Sequence, residues 1–488
     1  MKKKLCMLLG LTLLTGTLAG CGNTGESADG SAKAETTVSQ QAASEEKKDE
    51  SSEEPAKEQV TVKLGMCPFE EEAQEMWDKY NKDLETFKEQ RPDVVIENAR
   101  YDYSPDTFVP LAESGNLPTV FGTWFTEPQK LINSGYVADI TEVLEERGWL
   151  ELMNPSVLQS VSDKEGKVYG IPANGYALGL LMNVDLFTQA GLVDENGMPI
   201  QPQTWEEVAE SAQKIKETTG TPGFCLLGQD NGAGWHFTNI AWGFGAQFCV
   251  DNGDGTYTAN VDSPEAIEAM QFVKDMKWKY DILTADPLTE NGGTGIAHLA
   301  SGTAAMYIGS NEVNGLIDNG AALGDFALGA VPAGPKGQYS LFGGTMYMFS
   351  KDATKEEIHA ALDFLELYEG IGPDVSEEAL DSIAKRDAQM GRPIMPAFQV
   401  WSNPEAQAIR DKVVENNQNL DRALYQSYFD AVAKEGNLHM EEAAATQDLY
   451  AELTKVIQAV VTDKDADVAE LMKTADQNYQ VLLDSLNK

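Results

Sequence analysis

Val60-Thr61-Val62-Lys63-Leu64-Gly65-Met66 places an apolar side chain at every second residue. Successive side chains of an extended chain point to opposite faces, so this period predicts a strand with one buried face. Residues 70–90 read as a helix that stops at Arg91-Pro92, because proline disfavours helical backbone in the residue before it. Val94-Val95-Ile96 is the next short apolar run, and Val120-Phe121, after Leu117-Pro118, is a third. Strands alternating with helical stretches imply βαβ units, a mainly parallel sheet and an α/β fold.

Farther along, helix starts are marked by local chemistry. Thr204-Trp205-Glu206-Glu207 and Thr354-Lys355-Glu356-Glu357 fit a capping box, with a hydroxyl at the N-cap and a carboxylate three residues on. Ser263-Pro264 supplies an N-cap and a proline at the first helical position of a helix running to about residue 280. Asp251-Asn252-Gly253-Asp254-Gly255 reads as a turn; it lacks the ligand spacing and terminal glutamate of a calcium loop. The final stretch reads as mostly helical, with no glycine after Gly436.

Toward the N-terminus the reading changes. Lys2, Lys3 and Lys4 precede an apolar stretch over residues 5–18, which is too short to span a bilayer and reads as an export signal. It ends in Leu18-Ala19-Gly20-Cys21. Residues 22–58 contain no aromatic residue, and Val38 is their only aliphatic residue larger than alanine. Such a segment buries too little to offset its ordering entropy, so a flexible linker with a reach of ~35 Å is expected. Among Cys67, Cys225 and Cys249 at least one thiol must stay unpaired. Buried free thiols are expected, with a Cys225–Cys249 bridge as the alternative.

The whole chain has 488 residues, with 36 Lys plus Arg against 78 Asp plus Glu, a net charge of -42. That charge repels polyanions and excludes sequence-independent binding to nucleic acid or anionic lipid. The 430 residues after the linker suffice for two lobes with buried cores.

A colinear series of short motifs then carries a resemblance. It runs through Pro92-Asp93-Val94, Gly115-Asn116-Leu117-Pro118-Thr119-Val120 and Ser134-Gly135-Tyr136-Val137-Ala138-Asp139-Ile140. It continues through Gly166-Lys167-Val168-Tyr169-Gly170-Ile171-Pro172, Leu181-Met182-Asn183-Val184-Asp185-Leu186-Phe187 and Pro202-Gln203-Thr204-Trp205. Ser301-Gly302-Thr303-Ala304-Ala305-Met306, Gly334-Pro335-Lys336-Gly337, Gly343-Gly344 and Ser350-Lys351 complete it. Over residues 60–370 this resembles the family 1 extracellular solute-binding proteins of bacterial carbohydrate ABC transporters, the maltose-binding-protein-like group. The stretch around Cys21 resembles the bacterial lipoprotein box.

The resemblance implies a two-lobed α/β fold of the type II periplasmic-binding-protein kind, each lobe a mainly parallel sheet flanked by helices. It implies a lipoprotein signal over 1–20 and a lipidated Cys21 with its linker over 21–58. Lobe 1 would hold 59–172 and 332–390, and lobe 2 would hold 173–331 and 391–488. Crossovers are expected near Ile171-Pro172-Ala173, Val331-Pro332-Ala333 and Gly391-Arg392-Pro393. The implied function is capture of a sugar or oligosaccharide for an ABC permease, without catalysis or cofactor, by a monomer anchored to the outer face of the cell membrane only through lipid.

A sugar offers apolar C–H faces and a ring of hydroxyls, so its site needs flat aromatic surfaces with amides and carboxylates nearby. The candidates lie on loops at strand ends. They are Phe69 and Glu70 after the first strand, Thr123, Trp124 and Phe125 after the third, and Asn174 and Tyr176 at the first crossover. Trp235, His236 and Trp242 follow on a later stretch, with Asn311, Gly343, Gly344 and Tyr428 beyond. Where many members of the family carry a stacking tryptophan, this chain has Ser310-Asn311, so maltodextrin specificity does not carry over. His236, His298, His359 and His439 are dispersed and form no metal motif. Neither a nucleophile elbow nor a P-loop is present. A secreted carbohydrate-active enzyme and a non-transport glycan binder or sensor are the alternatives.

Overall fold

The computed structural model describes residues 59–486 apart from 71–73, 255, 310–312, 397, 399, 435 and 443. The signal, Cys21, the linker and Asn311 lie outside the described residues. β1 (Val60–Leu64) forms where the alternation placed it, with Val62 and Leu64 fully buried. It pairs in parallel with β2 (Val94–Asn98) on one side and β3 (Val120–Trp124) on the other. The helix Gln74–Gln90 connects β1 to β2. Tyr80 and Phe87 on that helix meet Phe364 edge-on from the helix Lys355–Glu369, closing the first core.

β4 (Gly170–Ala177) leads through Leu178 into β5 (Gly179–Asn183). β5 is flanked on both sides by antiparallel partners, β8 (Met306–Gly309) and β9 (Phe326–Gly329). The second half was expected to hold a mainly parallel sheet, and this ladder corrects that. Its central strand enters straight from the first half through Leu178, and both of its neighbours run against it. Parallel pairing resumes only as short contacts, such as the bridge between Phe224 and Leu283. The hairpin of β6 (Cys249–Asp251) and β7 (Tyr257–Ala259) encloses the acidic turn predicted from the sequence. Cys67, Cys225 and Cys249 are buried free thiols.

The marked helix starts form as expected. Thr354 and Glu357 complete a reciprocal capping box, and Ser263 caps a helix that ends at Trp278. At Thr204 the hydroxyl accepts from the Glu207 amide, while the Glu207 carboxylate reaches one residue farther back to the Gln203 amide. Among the described residues no helix is long and apolar enough to cross a membrane.

Two large hydrophobic cores form, beside two smaller clusters around Phe121 and Val413. One gathers around β1, β3 and the helix Lys355–Glu369, and the other around β5, the helix Gly232–Phe244 and the C-terminal helices Thr446–Thr462 and Val468–Leu486. The strand linking them is β10 (Ser340–Phe349). Residues 331–333 still belong to the second half, where Ala333 bridges Thr204. At the last passage Arg392 pairs with Asp318 of the second half, Trp401 packs edge-on to Trp149 of the first, and Leu424 rejoins the second core.

β10 meets both halves along one edge. Ser340 to Phe342 pair with β11 (Leu438–Met440), and Thr345 to Phe349 pair with β3. β4 runs along the other edge, setting Gly343 opposite Tyr176, Gly344 opposite Gly175, and Thr345 opposite Asn174. A Cβ on Gly343 would stand 2.7 Å from the Tyr176 hydroxyl oxygen; one on Gly344 would stand 2.2 Å from the Asn174 carbonyl oxygen and 2.7 Å from the Phe125 ring. Glycine is therefore required by close approach. Gly344→Ala is expected to destabilise the protein by about 2–3 kcal/mol in denaturant unfolding, as overpacking against backbone does. Gly324→Ala, where a Cβ meets nothing within 4 Å, should change stability little.

Candidate functional site

Residues paired across neighbouring strands share a face, so Trp124, Thr345 and Asn174 form a row across β3, β10 and β4. Two residues along the same face lie Gly343 and Tyr176. Trp124 is 42% exposed, and its ring stands edge-on to Tyr103 at 5.3 Å. The Tyr103 hydroxyl donates to the buried Glu127 carboxylate, whose pKa burial pushes up. Asn174 is exposed, and its side-chain oxygen accepts from the Thr345 amide at 3.2 Å.

The second half contributes Trp235. Between Ala233 and Phe244 on its helix, every residue but Trp235 is buried. Its half-buried ring stands edge-on to Tyr176 at 6.3 Å. Phe69 follows β1, 41% exposed, with the Arg100 guanidinium 3.5 Å over its ring centre; Glu70 is exposed beside it. The crossover thus brings together Trp124, Asn174 and Tyr176, and Trp235 joins them from the second half.

Other expected residues lie in the packing beneath. His236 is 2% exposed, next to the Tyr307 ring, and burial holds its imidazole neutral by pushing its pKa down to about 3. Trp242 is buried and stacks on His439 at 3.9 Å, with its indole N–H toward Glu442 at 3.4 Å. Both were expected at the ligand; their helix is apolar nearly all round, so packing covers His236, next to Trp235, and Trp242, seven residues on. Thr123 is buried on β3, and Phe125 packs edge-on to Phe342 at 5.8 Å. Gly343 and Gly344 serve as close-approach points inside the crossover. Tyr428 is buried and donates to the Ala177 carbonyl at 2.7 Å.

Two hollows of about 710 Å³ adjoin the crossover. The one beside β4 is lined by Asn174, Asn314, Phe398, Tyr428, Phe429 and Arg422. The Arg422 guanidinium lies over the Phe429 ring at 5.3 Å, with its Nε donating to Gln426. Phe398, Phe429 and Arg422 were missed from sequence, although Gln426, Phe429 and Ala433 are spaced for one helical face. The other hollow lies between the ends of β3 and β11 and is walled by Phe125, Thr126, Tyr257, Met440, Glu441 and Glu442. Tyr450 donates to Glu441 at 2.8 Å. Among the described residues no group of three or more His, Cys, Asp or Glu is placed to hold a metal ion.

The sequence model of the family described as bacterial extracellular solute-binding proteins matches residues 69–370. A binding protein of Brucella abortus is 29% identical over 247 residues, 49% of this chain and 54% of its own length. The chain spans about half the length of the curated relatives it matches. In fold it resembles an ABC transporter solute-binding protein of Thermotoga lettingae bound with alpha-D-tagatose, with TM-score 0.65 and 18% identity over 87% of this chain and 100% of the other. It also resembles UgpB of Mycobacterium tuberculosis in complex with glycerophosphocholine, with TM-score 0.66 and 16% identity over 88% and 99%.

Burial pushes the Glu441 and Glu442 carboxyls up to about 7. Between the ordinary glutamate range and that value, the folded chain keeps protons that the unfolded chain releases. Their stabilising contribution is complete at low pH and is lost as pH rises through about 7. Glu442→Gln keeps an acceptor for Trp242 and removes the titration. It should flatten the fall in stability across this window by about one proton, ~1.4 kcal/mol per pH unit, in urea unfolding at stepped pH. Parallel curves for variant and wild type would contradict this assignment.

Proposed function

The chain belongs to the bacterial extracellular solute-binding proteins, and on that premise we propose that it captures a sugar or oligosaccharide for an ABC importer. The observation that carries the reading is the set of aromatic rings from both halves, Trp124 and Tyr176 with Trp235, gathered at the strands joining the halves. Rings of this kind take the apolar faces of a sugar, while Asn174 and the polar side chains of the hollow beside β4 meet its hydroxyls. Hinge closure of the two halves would enclose the solute and present the closed form to the permease. The ligand is released unchanged.

Acylation of Cys21 would hold the chain at the outer face of the membrane, since two or three acyl chains anchor stably where one does not. A glycerophosphodiester is the second reading. It is favoured by Arg422 beside Phe429 in the β4 hollow, a cation able to meet a phosphate oxygen.

Calorimetry of the full chain against a panel of glycans, with glycerophosphocholine included, tests both readings. At least one glycan should bind and be recovered unmodified. Trp124→Ala and Trp235→Ala should each weaken it about tenfold or more, the effect of removing an anchoring aromatic, with the unfolding midpoint little changed. Binding of glycerophosphocholine alone would replace the sugar reading. Unchanged affinity in both variants would move the site elsewhere.

A further inference from the structure

The two proposed stacking residues are joined by a chain of hydrogen bonds, ending in one edge-on ring contact, that passes through one side chain, Gln447. It lies at the start of the helix Thr446–Thr462. That helix is fixed to the second half. A Cβ on Gly234 would stand 2.3 Å from the Tyr450 carbonyl oxygen, and the Thr454 hydroxyl accepts from the Gly234 amide and donates to the Asp230 carbonyl. Asn231 immediately precedes the helix of Trp235. Its amide group donates to the Gln447 carbonyl at 3.1 Å and to the Gln447 side-chain oxygen at 3.0 Å, while its own carbonyl accepts from the Trp235 amide.

From this anchored position the Gln447 amide nitrogen reaches across to the first half and donates to the Thr126 hydroxyl at 3.2 Å. Thr126 in turn donates to Glu127 at 3.2 Å, and Glu127 accepts from Tyr103, whose ring sets Trp124 edge-on. The nearby Lys130–Asp448 pair also crosses between the halves. At 3.8 Å, with both side chains more than a third exposed, it is screened by solvent and contributes little.

We propose that Gln447 is a positioning residue for solute binding, a latch that fixes the Trp124 loop relative to the Trp235 helix before ligand arrives. The inference rests on the cleft reading above. Its physical content is pre-organisation: a protein whose binding-competent arrangement is only partly populated loses apparent affinity by that fraction. The Gln447–Thr126 bond favours one separation of the two rings, and a net hydrogen bond of this kind shifts a two-state equilibrium about threefold to tenfold.

The test needs no ligand. Fluorophores at Lys88 in the first half and Val481 in the second, both exposed, report the separation of the halves in single molecules of the full chain. Thr126→Val and Gln447→Ala should each raise the ratio of long to short separations about threefold to tenfold, with an unchanged unfolding midpoint. Thr126→Val should add nothing in a Gln447→Ala background, because the bond is already gone. Thr126→Ser, which keeps the hydroxyl, should restore the wild-type distribution, and Lys130→Ala should leave it unmoved. Distributions that overlay wild type, or two single effects that add in the double variant, would overturn the latch. A chain that binds no glycan would remove the cleft reading without touching this result, since the distances are measured unliganded.

Discussion

β10 carries hydrogen-bonded ladders to both halves of the molecule along a single edge, three residues with β11 and five with β3. Between those two ladders lie Gly343 and Gly344, which β4 pairs on the opposite edge with Tyr176 and Gly175. Side chains there would strike Tyr176, Asn174 and Phe125. The absence of side chains there lets the Tyr176 and Phe125 rings approach the strand closely.

The apolar energetics are divided accordingly. Each half owns a core of fully buried side chains, among them Val62, Phe364 and Leu365 in the first and Trp205, Phe237 and Ile457 in the second. Each such side chain contributes roughly 1.5–3 kcal/mol by leaving water, and none of it is lost if the halves rotate as bodies. Among the side-chain hydrogen bonds described above, the one that crosses between the halves is Gln447 on Thr126. Net hydrogen-bond contributions are about 0.5–1.5 kcal/mol each. A junction held by terms of that size can be shifted by the contacts a small solute makes.

The first half was legible because its strands expose one face and bury the other, so Val60 to Met66 shows its period directly. The second half was not, because β5 is buried on both faces and Gly179-Leu180-Leu181-Met182 carries no alternation to give its pairing direction. Trp124 was expected at a strand end and Tyr176 at the first crossover, and they lie at the end of β3 and within β4. Trp235 and Trp242 look alike in sequence, and only packing separates them: the Gly234 contact with Tyr450 turns one outward, and His439 covers the other. Tyr103 and Glu127 are distant in sequence from each other, and Gln447 from both, so their network exists only in the folded chain.

The central claim is that solute is enclosed by rotation of two preformed halves about β10. Small-angle scattering of the full chain, titrated with whichever glycan calorimetry identifies, tests it most directly. The account predicts a smaller radius of gyration at saturation, following the binding isotherm. A saturated chain with the same scattering profile as the unliganded one would contradict it.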